Sequence, residues 1–319
     1  AYQSVDDSWV GSFVAAAVSG AHGVLVAGTV RQGHELDNQA PMDVETDPQD
    51  WDSSDFMARY TYDSAGGNRL RLSASRTERD VQTEIRSLLG YGRRFRSTTA
   101  MSGDDSDSSS RVSLDYDFST GGWQQGTVRV YDTRYETDQF TLEERKRSPR
   151  PVEIQRRFLY RQDTSGIEAF AFREFSWLNS EHRLGLGGEW STSRIDEKRD
   201  GLQTNLVSGE SSTVILGEDM PVRDFPVSET KELGLWIQDQ VQLADGRWEI
   251  IPALRWDRYD LDPRPDETWQ EDNPDTEVVS IREDRSTPRL GVIYHAGGGW
   301  SVYGQYSEGF RAPPFEDAN

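Results

Sequence analysis

Apolar and polar residues alternate along most of this chain. In 111-RVSLDYDFS-119, Val112, Leu114, Tyr116 and Phe118 fall on one side, and Arg111, Ser113, Asp115 and Asp117 on the other. In 68-NRLRLSASRTE-78, Leu70, Leu72 and Ala74 oppose Arg69, Arg71, Ser73 and Ser75. In 183-RLGLGGEWS-191, Leu184, Leu186 and Trp190 oppose Arg183 and Glu189. A period of two with one apolar side predicts strands that are dry on one face and wet on the other. Helical periodicity is hard to find, and nothing between the strands reads as a helix able to cover a sheet. The pattern predicts strands at 9–20, 24–34, 54–63, 68–82, 110–118, 123–138, 153–177, 182–195, 230–243, 247–260, 286–296 and 299–309.

The connections carry a second pattern. Tight turns of small or glycine residues lie at 20–23, 64–67, 119–122, 178–181, 244–246 and 296–299. Long polar segments lie at 35–53, 83–109, 139–152, 196–229 and 261–285, and the two kinds alternate strictly. Short turns at one rim and long loops at the other predict an all-β, antiparallel, up-and-down transmembrane barrel of the bacterial outer membrane. The span 153–177 is much longer than the roughly 9–11 residues of one bilayer crossing. A turn at 162-QDTSG-166 would split it, but then 196–229 would fall on the periplasmic side. It is therefore read as one strand that rises above the membrane. A soluble sandwich is disfavoured, because sandwich strands run to about 5–6 residues and need Greek-key crossings.

Composition sharpens this picture. Only 34% of the 319 residues are hydrophobic, and the mean hydropathy is -0.77. Yet aromatics reach 11%, which separates the chain from disordered sequences. The net charge of -21 argues against nucleic acid as a partner. The acidic clusters 102–110 and 261–277 read as solvated loops, since neither matches a calcium-loop spacing. There are no cysteines, which removes disulfides, thiol catalysis and Cys-based zinc. No apolar run approaches the roughly 20 residues of a membrane helix. No signal peptide opens the chain, and the expectation is a piece of a longer protein.

No catalytic motif survives inspection, neither GxSxG, HExxH, Walker loop nor dinucleotide fingerprint, so an enzyme is not expected. Three of the four histidines, His22, His182 and His295, fall at the short-turn rim, and a plain rim role is expected for them. His34, at the outer end of its strand, is the one histidine placed to ligate haem or iron, but a plain solvated side chain is the preferred reading. Trp123, Trp248, Trp256, Tyr259, Trp300 and Tyr306 lie near strand ends and fit interfacial girdles better than a sugar-stacking platform.

The closing third carries the most specific strings. A strand with Gln238-Asp239 leads to a tight turn, and the next strand ends in Arg255-Trp256-Asp257-Arg258-Tyr259. After a long loop come Pro288-Arg289-Leu290-Gly291 and a Tyr-rich strand ending Gly309-Phe310-Arg311-Ala312-Pro313. This order resembles the TonB-dependent outer-membrane receptors, specifically from about 230 onward and only in architecture before it. The continuation of the FRAP box, Phe310 to Pro313, as Pro314-Phe315-Glu316-Asp317-Ala318-Asn319 looks most like the haem, haemoglobin, transferrin and lactoferrin receptor branch.

The resemblance implies a barrel of about 22 strands around a plugged lumen. Residues 1–319 then form part of one barrel domain, its second to thirteenth strands, with the plug and the C-terminal strands outside the sequence. It implies active uptake of haem, or haem from a carrier protein, driven through the TonB energy-transducing complex, with outer-membrane lipid around the barrel. Haem is then a transported ligand, and no tightly bound cofactor or resident metal is expected. The family's axial haem ligands lie in regions this sequence does not contain, so neither is carried over. Arg311 is read as an intrabarrel salt bridge, the alternative being a pairing with a loop or ligand carboxylate. A ferric siderophore or cobalamin receptor is the alternative within the family. A passive porin or a soluble all-β carbohydrate-binding protein is the alternative outside it.

Overall fold

The computed structural model describes residues 2–36, 46–243 and 246–312. Twelve long strands run antiparallel in chain order through one continuous sheet. They are β1 Ser8–Ser19, β2 His22–His34, β3 Gln49–Asp63, β4 Arg69–Glu84, β5 Ala100–Thr120 and β6 Trp123–Arg145. There follow β7 Val152–Trp177, β8 Ser180–Asn205, β9 Ser228–Leu243, β10 Trp248–Pro263, β11 Ile281–Gly297 and β12 Trp300–Ser307. Two-residue strands at Tyr2–Gln3 and Ser211–Ser212 add to the sheet, and a separate hairpin joins Val214–Ile215 to Glu218–Asp219. Each strand pairs with its chain neighbours, so the topology is up-and-down as expected. Among the described residues β1 and β12 do not pair, and the sheet is an open wall with no closed barrel.

The register explains why the period-two pattern is so clean. One cross-strand row runs Val24, Tyr60, Leu72, Leu114, Val130, Ile167, Trp190, Leu233. The row one residue away runs Thr61, Arg71, Asp115, Arg129, Glu168, Glu189, Gly234. The first row is apolar yet mostly exposed, for instance Leu72 at 46% and Val130 at 51%. Side chains of that kind, repeated over a wide face, belong in hydrocarbon rather than in water. The second row is charged and neutralises itself. Arg71 contacts Asp115 at 3.4 Å and Asp117 at 2.5 Å, and Arg129 reaches Asp115 at 2.5 Å and Glu168 at 3.4 Å. The sheet therefore has a lipid side and a wet side.

Four residues outward on the lipid side the row becomes Arg76, Ser110, Arg134, Asp163, Arg194, Glu229. The apolar band ends below it. The strands do not end there. β5 has 21 residues, β6 has 23, and β7 and β8 have 26 each. The stretch of β7 from Val152 to Ser165 lies beyond the band and reaches roughly 45 Å at about 3.3 Å per residue. Three expected loops shrink accordingly. The segment 83–109 contracts to 85–99, 139–152 to 146–151, and 196–229 to 206–227. The acidic run 102–110 lies inside β5, not in a loop, because backbone pairing needs no apolar face once both sides meet water.

β7 is a single strand. Gln162 to Gly166 pair with Tyr135 to Tyr131 on one side and with Ile195 to Ser191 on the other, which leaves no turn. Gly166 serves packing instead, because the Tyr131 ring lies so close that a Cβ would meet its Cζ at 2.6 Å. One short helix, α1 Glu267–Asp272, interrupts the connection from β10 to β11, where no helix is expected from the sequence. Its N-cap Asp266 accepts a hydrogen bond from the Trp269 amide.

Candidate functional site

The chemistry gathers at the outer end of the wall, where β4 to β8 rise above the apolar band. The tips of two hairpin connections meet there. Thr99 N–H donates to the Glu144 carbonyl and Arg147 N–H to the Ser97 carbonyl, while Thr98 donates its hydroxyl to Glu143 at 2.6 Å. Glu143 is fully buried and also receives Arg145 at 2.7 Å and Arg156 at 3.0 Å. Burial pushes its carboxyl up. Hydrogen bonds from Arg145 and Thr98, with the charges of Arg145 and Arg156, more than reverse this and hold it below the usual carboxylate range.

A depressed folded value stabilises the fold above the unfolded value, near 4.3, and that contribution is lost as pH falls through the folded value. Protection factors of the amides in 86–99 are expected to fall below about pH 4, earlier than in the band strands. Equal protection factors at pH 7 and pH 3.5 would remove this brace from the account.

The segment 206–227 folds back over the wet side of β7 and β8. Its hairpin seats Ile215 against Ile154, Met220 and Val222, a small buried cluster with Val152 beside it. Gly201 makes the seat possible, since a Cβ there would lie 2.5 Å from Ile215 Cδ1. Arg223, with 9% of its side chain exposed, ties this segment to its surroundings. It pairs with Asp196 at 2.6 Å and with Asp266 at 2.8 Å, and donates to the Glu197 carbonyl. Glu197 is buried and accepts the Asp224 amide at 2.9 Å, and burial pushes its carboxyl up.

Between this segment and the strands lies a cavity of about 520 Å³. Four arginines line it, Arg94 from 85–99, Arg156 and Arg157 from β7, and Arg199 from β8. Phe158, Ile215, Leu216 and Met220 give it an apolar side, and Asp200 and Glu218 its acids. Alternation alone misses this cavity, because its parts come from three separate connections. Local charge is the signal that points to it. Residues 85–99 and 145–157 together hold ten basic side chains and one acidic one, Glu153, in a chain of net charge -21.

His34 lies at the outer end of β2, as expected, with Nδ1 2.6 Å from Asp50 Oδ1 and both side chains mostly exposed. It opens onto a cleft that, among the described residues, no second histidine lines. Among the described residues no cluster of three or more His, Cys, Asp or Glu side chains is arranged to hold a metal. The box at the end of the chain turns back onto the wet side of β9 and β10. Phe310 and Ala312 line a cavity of about 310 Å³ with Glu232, Arg255 and Asp257, and Ala312 packs on the buried pair Tyr259 and Leu261. Arg311 is exposed and forms no ion pair with any described residue. Pro313 lies outside the described residues.

The other motifs acquire physical roles. Arg255, Asp257 and Tyr259 alternate onto the wet side, where Arg255 bridges Asp257, at 2.7 Å, and Glu189. Tyr259 is therefore part of a buried pair and not of an interfacial girdle. Asp239, of the Gln238-Asp239 pair, bonds His182 Nδ1 at 2.7 Å. The His182 ring stacks on Phe175 with centroids 4.9 Å apart, and its Nε2 meets Ser180 Oγ at 2.8 Å. The motif thus clasps the turn between β7 and β8 to β9. His22 and His295 bond Tyr60 and Ser301, each at the short-turn end.

A wall of antiparallel, up-and-down strands with a lipid side, a charged wet side and tall outer hairpins defines a transport-type outer-membrane barrel. Residues 36–319 match the family model described as TonB dependent receptor-like, beta-barrel, and the chain belongs to that family. Its members are outer-membrane transporters, not enzymes, and the bacterial outer membrane is where this sheet resides. The sequence match reaches back to residue 36, well before the motif region near 230.

No curated protein matches the chain by sequence. Among solved structures it is similar to FpvA of P. aeruginosa bound to heterologous pyoverdines, with a TM-score of 0.65, 14% identity, and coverage of 94% of this chain and 40% of that one. The haemophore receptor HasR of Serratia marcescens, in complex with HasA and haem, gives a TM-score of 0.65 at 17% identity, covering 99% and 45%. BauA, the ferric preacinetobactin receptor of Acinetobacter baumannii, gives 0.58 at 15%, covering 95% and 45%. The chain thus spans less than half the length of these proteins. The likeness is one of fold, and it does not single out the haem branch.

Proposed function

We propose that this chain is part of the wall of a receptor that takes an iron-bearing ligand across the outer membrane, powered through the TonB complex. The family match over residues 36–319 carries the reading. A ferric siderophore-type chelate is placed ahead of haem as the ligand class. Similar folds serve a pyoverdine receptor, a ferric preacinetobactin receptor, a ferric-catecholate import receptor and a ferric citrate transporter, with a haemophore receptor beside them. The placement of His34 supports the same order. Its ring is engaged by Asp50, and among the described residues no second histidine or methionine lines its cleft. Haem remains the second reading, resting on the FRAP box, Phe310 to Pro313, as a family marker at the base of an external loop.

The test is growth of an iron-starved host, with and without the gene, on defined ferric siderophores and on haem. Gene-dependent growth on a siderophore that is abolished when TonB is deleted is the expected result. Growth rescued by haem alone would reverse the order of ligands, and rescue independent of TonB would overturn energised uptake.

A further inference from the structure

The arginine-lined cavity under the outer segment 206–227 stands apart from both sequence-marked sites. Its charge is the inverse of the protein's. Residues 85–99 and 145–157, the two connections above it with their adjoining strand ends, hold ten basic residues against one acid, while the whole chain carries -21. Part of this charge is balanced. Arg156 is engaged by Glu143, Arg157 by Asp138 and Arg199 by Asp224 at 2.6 Å. Part is not. Arg94 is exposed and forms no ion pair with any described residue, and its guanidinium lies 5.4 Å from the Phe95 ring centre. The Nε of Arg199 is buried without a hydrogen-bond partner among the described residues. A buried guanidinium N–H without an acceptor is uncommon in native structures and marks a donor available to a ligand.

The remaining walls suit the same occupant. Phe158 and Arg199 share one face of paired strands, and so do Arg156 and Gly201, so these two arginines and the aromatic ring project to one side, while Arg157 and its cross-strand partner Asp200 fall on the other face. Leu216 is exposed at the hairpin tip beside them, and Met220 backs it. Such a cavity, about 520 Å³ with an apolar side and a few convergent cations, falls in the range of small-molecule sites. Arginine forks match carboxylate and other paired oxygens, and cations stack on aromatic faces.

We infer that this cavity binds an anionic ferric chelate, one that presents carboxylate or catecholate oxygens at its surface. The inference rests on the receptor reading above and adds the charge class of the ligand and the residues that select it. Arg94 and the Arg199 Nε supply the free donors and Phe158 and Leu216 the apolar contact, and the surplus of arginine charge disfavours cationic chelates.

The test is equilibrium dialysis of the purified receptor with radio-iron carried by ferric citrate, by a ferric tris-catecholate, by the cationic hydroxamate ferrioxamine B, and with haem in parallel. Two variants at exposed positions spare the folded wall, Arg94→Glu and Leu216→Glu. An anionic chelate is expected to bind, to weaken about tenfold in R94E through reversal of one nearby charge, and to weaken further as salt screens the site. Ferrioxamine B is expected not to bind. Arg94→Lys is expected to recover most of the affinity, because it restores the charge. Four outcomes overturn the inference: no binding of either anionic chelate, unchanged affinity in R94E, equal affinity for ferrioxamine B, or sensitivity to R94E confined to haem. Import that continues in R94E cells with wild-type affinity would discard this cavity and leave the receptor reading standing. Binding without TonB-dependent import would do the reverse.

Discussion

Arg223→Ala is expected to release the outer segment 206–227 from the wall, at a local cost of about 1–3 kcal/mol. The side chain is 9% exposed and serves two carboxylates, Asp196 and Asp266, together with the Glu197 carbonyl. Its removal leaves two anions in a partly dry site without their cation. Ion pairs at a surface are worth little and a buried pair broken on one side is costly; this one lies between, a buried cation with carboxylates more than a third exposed. Amide exchange is the measurement. Residues 196–227 and 264–273 should lose protection together, while β1 to β4 keep theirs. Arg223→Lys should recover only part, because an ammonium cannot reproduce the fork that spans two carboxylates. Unchanged protection in both segments would show that the apolar cluster around Ile215 holds the segment without the brace.

The second large effect tests which side of the sheet meets lipid. Leu235→Arg is expected to destabilise the folded wall by about 2–4 kcal/mol in a bilayer, the cost of a cation near the hydrocarbon midplane. Leu235 lies on the apolar side with Gly188 and Trp256 as its cross-strand partners, and it is 49% exposed. Gln238→Arg, three residues on and on the opposite face, is expected to cost about 1 kcal/mol or less, because that side is wet. Urea unfolding of the receptor in lipid vesicles compares the two. Equal costs would remove the distinction between the faces, and the opposite order would reverse it.

All twelve long strands could be read from the sequence, and so could their order, for one physical reason. Where the sheet crosses hydrocarbon, each strand must be apolar on one face, and Leu70, Leu72 and Ala74 against Arg69, Arg71 and Ser73 leave little choice of register. The same reason explains the errors. Above the band no face needs to be apolar, so 102-SGDDSDSSS-110 and 196-DEKRDGLQTN-205 carry no alternation although both are fully paired strand. Gly166 was ambiguous because a glycine under an aromatic ring and a glycine in a turn look alike in sequence.

The outer site was harder. Thr98 and Glu143 lie 45 residues apart, and Arg223 and Asp266 lie 43 apart, so nothing local announces either contact. The basic bias of 85–99 and 145–157 was visible but had no location until the hairpins placed both segments at one tip. At the chain's end the box could be read as a family marker, while its docking through Ala312 onto Tyr259 and Leu261 depends on residues some fifty positions earlier.

The unequal strand lengths have a consequence for how anything reaches the lumen. β1 to β4 span 12 to 16 residues, β5 to β8 span 21 to 26, and β9 to β12 span 8 to 17. The rim is therefore a parapet, tall along one arc and low on either side. Hydrogen-bonded strand makes the tall arc stiff, unlike a fringe of loose loops. A visitor drifting over the cell surface meets a fixed backstop and a low threshold, so approach is directional. A bulky carrier would have to come in over the low arcs, whereas a small solute can be stopped against the backstop and lowered from it into the opening.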